Sequence, residues 1–134
     1  GEILMAGLEI DYQGKMRFLV NARNHSIVVD LAPEKGGEDL GMNPPEVFAA
    51  SLGTCVGVYV AKYLENARLD PMGLKISVSW QLSDDKTKIS FINLVLSGLR
   101  SDIEKRKNAI LEVARHCLIH NTIIGHPDIT ISLA

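Results

Sequence analysis

Between Glu46 and Lys62 the chain runs through fifteen consecutive uncharged residues, VFAASLGTCVGVYVA. A run of that kind demands burial on nearly every side. At about 1.5 Å per residue it falls short of the ~17–25 residues needed to span a bilayer, so a central helix of a water-soluble fold is the expectation. Asn43 is placed as N-cap, Pro44 at the first helical position, and Glu46 three residues on, where it can reach back to form a capping box. Ala49, Gly53, Gly57 and Ala61 recur every four residues as one smooth stripe. A glycine inside a helix costs about 1 kcal/mol relative to alanine, so two on one face predict that another backbone approaches there. Cys55 lies about 200° round from Gly53, nearly opposite the stripe.

At 134 residues, 1–134 reads as a single domain, long enough to bury roughly two-thirds of its unfolded surface. Its 14 basic and 16 acidic residues offer no basic stripe for nucleic acid. No charged segment followed by an apolar one marks the N-terminus for export, which makes the cytoplasm the default expectation. In a reducing compartment two cysteines are reactive, metal-binding or inert more often than a structural bridge.

Around the central helix the periodicity switches to strands. Ile3–Tyr12 and Lys15–Val20 read as a hairpin, and Ser26–Leu31 as a β-branched strand after the polar turn Ala22–His25. A loop with three glycines, Ala32–Met42, leads into the helix. Beyond Pro71 and Gly73, Leu74–Leu82 alternates cleanly, and Lys88–Ser97 returns as its antiparallel partner after Asp84-Asp85-Lys86. Ser101 with Glu104 predicts a second capping box, opening a helix that carries Ile103, Ile110, Val113, Ala114 and Cys117 on one face. After His126-Pro127, the alternation of Ile129, Ile131 and Leu133 predicts a last strand. The order β-β-β-α-β-β-α-β fits an α+β fold with antiparallel or mixed sheets around two buried apolar helices.

A cysteine on the inward face of each helix has an ordinary explanation, since free cysteine packs as a small hydrophobe. If both thiols face one cavity, their Cα atoms could approach the ~5.5 Å of a disulfide, and a dithiol redox pair becomes possible. Burial alone would leave each thiol inert, and Cys55 in mid-helix is too far from the positive helix end to be activated by it. A cation must supply that activation. Arg17 and Arg23 from the early strands are candidates, whereas Arg106 and Arg115 are expected to face water. A buried guanidinium needs a counter-charge, and Glu46 is the acid nearest the apolar run.

Two segments carry a family resemblance: Gly41-Met42-Asn43-Pro44-Pro45-Glu46-Val47-Phe48-Ala49-Ala50-Ser51-Leu52-Gly53-Thr54-Cys55, and Val113-Ala114-Arg115-His116-Cys117-Leu118-Ile119-His120-Asn121-Thr122. Together they resemble the OsmC/Ohr superfamily over almost the whole chain. The resemblance implies an intertwined homodimer with active sites at the subunit interface, and thiol-based reduction of organic hydroperoxides without a cofactor or a metal. By that likeness Cys55 is the peroxidatic thiolate, Cys117 the resolving thiol, Arg23 the active-site arginine and an external dithiol the reductant. In the hydroperoxide-resistance branch the glutamate directly follows Asn-Pro; here Pro45 holds that place and Glu46 comes one residue later, as in other OsmC-like branches.

Two readings compete with a peroxidase. His116, Cys117, His120 and His126 lie within eleven residues and could form a metal site, although no established zinc spacing is matched. Alternatively the protein binds a small apolar ligand and its cysteines are idle. Nine residues separate Glu46 from Cys55, about 13.5 Å along a straight helix and about 180° round it. The two therefore cannot meet within one helix, and Glu46 could support an arginine beside Cys55 only from a sharply bent helix or from a partner subunit.

Overall fold

The structure, a computed structural model, describes residues 6–134. They fall into two units, one extending to Phe48 and the other running from Ala49 to Ala134.

The first unit is an antiparallel meander of β1 (Glu9–Tyr12), β2 (Phe18–Ala22) and β3 (His25–Val29). The expected first hairpin is present, with Tyr12 opposite Phe18, while Ile3 to Met5 of the predicted strand lie outside the described residues. Strand β2 starts later than predicted because Gly14, Lys15 and Met16 all take positive φ and form the turn themselves. The loop after β3 is organised by Asp30, whose side chain accepts the backbone N–H groups of Leu31 at 2.8 Å, Leu40 at 3.1 Å and Glu38 at 3.4 Å. Asp30 is only 1% exposed. Its burial favours the neutral acid, but the three amides and the nearby Arg17 charge together outweigh burial, and its pKa is lowered. A buried carboxylate saturated in this way folds an otherwise irregular segment around itself.

Helix α1 (Pro44–Asn66) is a single uninterrupted helix of 23 residues crossing from the first unit into the second. By length and composition alone it could cross a membrane. Its Leu52, Val56, Val60 and Leu64, however, pack into a protein core. That core belongs to the second unit and is completed by Ile103, Ile110, Ala114 and Cys117, with Ile92, Leu94 and Leu96 against it. Val60, Leu64 and Ile103 are fully excluded from solvent, each stabilising the fold by about 1.5–3 kcal/mol.

Strands β4 (Lys75–Leu82) and β5 (Ile89–Ser97) form an antiparallel pair in which Ile76, Val78 and Trp80 are half-buried while Lys75, Ser77 and Ser79 face out. The small stripe on α1 lies against β4, but against its side chains rather than a backbone. A Cβ added at Gly53 would meet Val78 Cγ2 at 2.9 Å, and one at Gly57 would meet Ile76 Cδ1 at 2.6 Å.

Three further expectations are corrected. The single second helix is three: α2 (Ser101–Glu104), α3 (Lys107–Ala114) and α4 (Leu118–Gly125). Ser101 stands inside α2 with Arg100 as its N-cap, and the Glu104 side chain of the expected capping box lies outside the described residues. The last strand does not form either. Residues 126–134 are neither helix nor strand, and Ile129, Ile131 and Leu133 are 79%, 94% and 99% exposed. An extended segment becomes a strand only beside a partner for its backbone groups, and periodicity alone supplies none. Burial of α1 is likewise one-sided, since Phe48, Val58 and Tyr59 of the uncharged run remain exposed. The α+β class stands: two small antiparallel sheets accompany the helices.

Candidate active site

Within the second unit Cys55 and Cys117 meet. Both are free thiols; Cys55, in mid-helix on α1, is half-buried, and Cys117 is fully buried. Cys117 reaches the core by a different route from the predicted one. The polypeptide leaves α3 at Arg115 and re-enters a helix at Leu118, so Cys117 is the N-cap of α4 in extended conformation, φ −73° and ψ 154°. The His120 N–H donates to Cys117 Sγ at 3.2 Å, filling the place a serine oxygen takes in an ordinary cap.

The thiols are electrostatically unequal. Burial pushes the Cys117 pKa up, the His120 amide pulls it down, and the neighbouring Cys55 pushes it up again; the net shift is upward. A negative charge on Cys55 would oppose ionisation of Cys117, so the two sulfurs resist becoming thiolates together. Such an arrangement supports attack by one sulfur followed by capture by the other.

A mainly apolar cavity of about 510 Å³ opens in the same unit, walled by Leu52 and Val56, which flank Cys55 on α1, and by Ile92, Leu94, Ala114 and Ile123. Arg115 and His120 are among its polar lining groups. Arg115 itself is exposed and paired with Glu112 at 3.9 Å, and the exposed Arg106 donates to the Tyr63 hydroxyl at 3.2 Å. Both arginines face solvent, as expected.

The other candidates stand in the first unit. Arg23 opens the two-residue turn between β2 and β3, at φ 55°, a region where glycine is favoured and another residue costs of order 1–3 kcal/mol. Its side chain borders a shallow recess with Gly7, Leu8, Glu9 and Asn21. Arg17 is committed elsewhere, donating through Nε to Gln13 at 3.3 Å and pairing with Glu38 at 3.8 Å. Glu46 forms the capping box: its Oε1 accepts the Asn43 N–H at 2.9 Å, while Asn43 Oδ1 accepts the Glu46 N–H at 3.0 Å.

The histidines of the competing metal reading disperse. His116 is exposed and held by Glu112 at 2.9 Å, the exposed His126 ends α4, and among the described residues no three His, Cys, Asp or Glu side chains group closely enough to hold a metal. Sequence reasoning missed the capping role of Cys117 and the part played by Asp30. Neither has a strong signal, because cysteine is not a usual N-cap and an aspartate before a glycine-bearing loop resembles any turn residue.

A sequence profile of the OsmC-like protein family matches residues 36–132. No curated protein matches. Among solved structures, the chain is similar to a protein of Psychrobacter arcticus 273-4 named for osmotic stress induction and detoxification response. That pair has a TM-score of 0.82 at 20% identity, covering 95% of this chain and 93% of the other. An OsmC-like protein of Mycoplasma pneumoniae gives 0.74 at 19%, covering 92% and 89%. The organic hydroperoxide resistance protein OhrB of Bacillus subtilis gives 0.58 at 18%, covering 90% and 92%. At such identities the structures speak for the fold, and the profile, covering well over half of the chain, places it by sequence: this protein belongs to the OsmC-like family.

Proposed function

We propose that the protein is a cysteine-based peroxidase that reduces organic hydroperoxides and acts as a homodimer in the cytoplasm. The observation that carries this reading is the pair of free thiols in one core, a half-buried Cys55 on α1 and a fully buried Cys117. Support also comes from relatives of the same fold that are named organic hydroperoxide resistance proteins, in Bacillus subtilis and in Legionella pneumophila.

In this reading the Cys55 thiolate attacks the distal oxygen of the hydroperoxide. The O–O bond breaks, the alkoxide takes a proton and leaves as alcohol, and Cys55 becomes a sulfenic acid. Cys117 then condenses with it to a disulfide, which an external dithiol reduces. Arg23 is the cation assigned to the Cys55 thiolate, by the family resemblance and because its strained backbone is a cost that function would explain. Glu46 supports that arginine from the partner subunit, because an unbroken α1 keeps it away from the Cys55 of its own chain. Apolar walls favour alkyl over hydrogen peroxide.

Dimerisation rests on exposed apolar surface: Phe48, Val58 and Tyr59 on α1, Ile10, Tyr12, Ile27 and Val28 on the strands, and the C-terminal Ile129, Ile131 and Leu133. The thiol roles are tested by substitution. Cys55→Ser should lose turnover entirely, whereas Cys117→Ser should still consume about one equivalent of peroxide and accumulate sulfenic acid. An inert Cys117→Ser protein beside an oxidisable Cys55→Ser protein would reverse the assignment.

A further inference from the structure

We infer that the backbone amide of His120, at the N-terminal end of α4, is the group that readies Cys117 for disulfide formation once Cys55 has been oxidised. The inference rests on the dithiol reading above and concerns its second step. It starts from a geometric fact: the sulfur of Cys117 is the N-cap acceptor of an eight-residue helix, with the His120 N–H on it at 3.2 Å. An amide that donates to a thiol bonds a thiolate more strongly, and the helix end adds positive potential in the same direction.

Among the described residues few other groups can act on this sulfur. From α1 come Cys55 and, further along the same core, Tyr63, whose hydroxyl accepts from Arg106. From β5 and α3 the core side chains are apolar, Ile92, Leu94 and Leu96 with Ile110 and Ala114. From α4 comes His120 itself, half-buried. The influences opposing ionisation of Cys117 are thus its burial and the presence of an ionised Cys55, while the α4 amides favour it.

Oxidation of Cys55 changes that balance in one direction. A sulfenic acid is neutral, so a negative charge on Cys55 no longer opposes ionisation of Cys117, while burial and the His120 amide remain. Cys117 then ionises more readily than before, and its thiolate attacks the Cys55 sulfur. The S–S bond forms as the S–O bond breaks, and hydroxide leaves to take up the proton that Cys117 released, giving water. The Cys117 sulfur is oxidised and the sulfenic sulfur reduced, the oxidising equivalent having come from the hydroperoxide. Cys117 is thus easier to ionise after Cys55 has reacted than while Cys55 carries a negative charge.

The test removes one N–H. Proline is tolerated in the first turn of a helix, so His120→Pro deletes the donor; His120→Ala keeps it, and Leu118→Pro places a proline in the same turn without touching the bonded amide. In a Cys55→Ser background, titrating thiolate absorbance near 240 nm reports Cys117 ionisation without any peroxide. The midpoint should rise in His120→Pro and stay put in His120→Ala and Leu118→Pro. With Cys55 present and one equivalent of cumene hydroperoxide added, the step from sulfenic acid to disulfide should be roughly ten-fold slower in His120→Pro than in His120→Ala at neutral pH.

Should His120→Pro fail to fold, the Cys55→Ser protein alone decides by NMR, because the His120 amide proton must then shift with the same midpoint as the thiol. An unchanged titration in folded His120→Pro, or a His120 amide blind to Cys117 ionisation, overturns the inference. A protein inert to hydroperoxide whose Cys117 midpoint still responds to His120→Pro would instead overturn the peroxidase reading and leave the role of the amide standing.

Discussion

Asp30 shows how one side chain sets the form of a long irregular segment. Nothing in the composition of Ala32–Met42 compels the path that the chain takes, yet three amides converge on one buried carboxylate. Its folded pKa lies below the ordinary value of 3.8, so folding favours the charged form. Such a group stabilises fully above its unfolded pKa, and that contribution disappears as the pH falls through the lowered folded value. Asp30→Asn should therefore be clearly less stable than the parent in urea at pH 7, and the two midpoints should converge as the pH drops below the ordinary carboxylate range. A difference that stayed constant down to pH 3 would mean that shape rather than charge is what Asp30 supplies.

At the scale of elements, α1 and β4 are held together through the glycines of the stripe, and the two contacts should respond differently to substitution. Alanine at either position gains about 1 kcal/mol of helix propensity. At Gly57 the new methyl meets Ile76 Cδ1, the tip of a side chain that can swing away; at Gly53 it meets Cγ2 of Val78, fixed by a stiff χ1. Thermal unfolding should find Gly57→Ala within about 1 kcal/mol of the parent and Gly53→Ala destabilised by about 1–3 kcal/mol. The same comparison marks what sequence could tell. The strands β4 and β5, the start of α1 and its capping box were legible because periodicity and cap chemistry are local. The break between α3 and α4 was not, because Arg115 and His116 carry no glycine or proline to announce it. Cys117 was rightly placed in the core, but by reasoning from a continuous helix face that does not exist. The final strand was read from an alternation that is present, without the neighbouring strand that alone would make it one. Of the candidate site, the two cysteines could be singled out from sequence, whereas the deeper burial of Cys117 and the amide on its sulfur appear only in three dimensions.

Exposed apolar side chains are spread over α1, the first sheet and the C-terminal segment, and apolar surface gathered into patches marks sites of association. Sedimentation at micromolar concentration should give a dimer, and a folded monomer there would count against the assembly. The central claim, that the thiol pair turns over organic hydroperoxides, is tested most directly by following peroxide consumption with cumene hydroperoxide and hydrogen peroxide side by side, under a dithiol reductant. The account predicts sustained turnover with both, faster with cumene hydroperoxide, passing through a Cys55–Cys117 disulfide. Consumption no faster than in the absence of protein, with both cysteines still reduced, would contradict it.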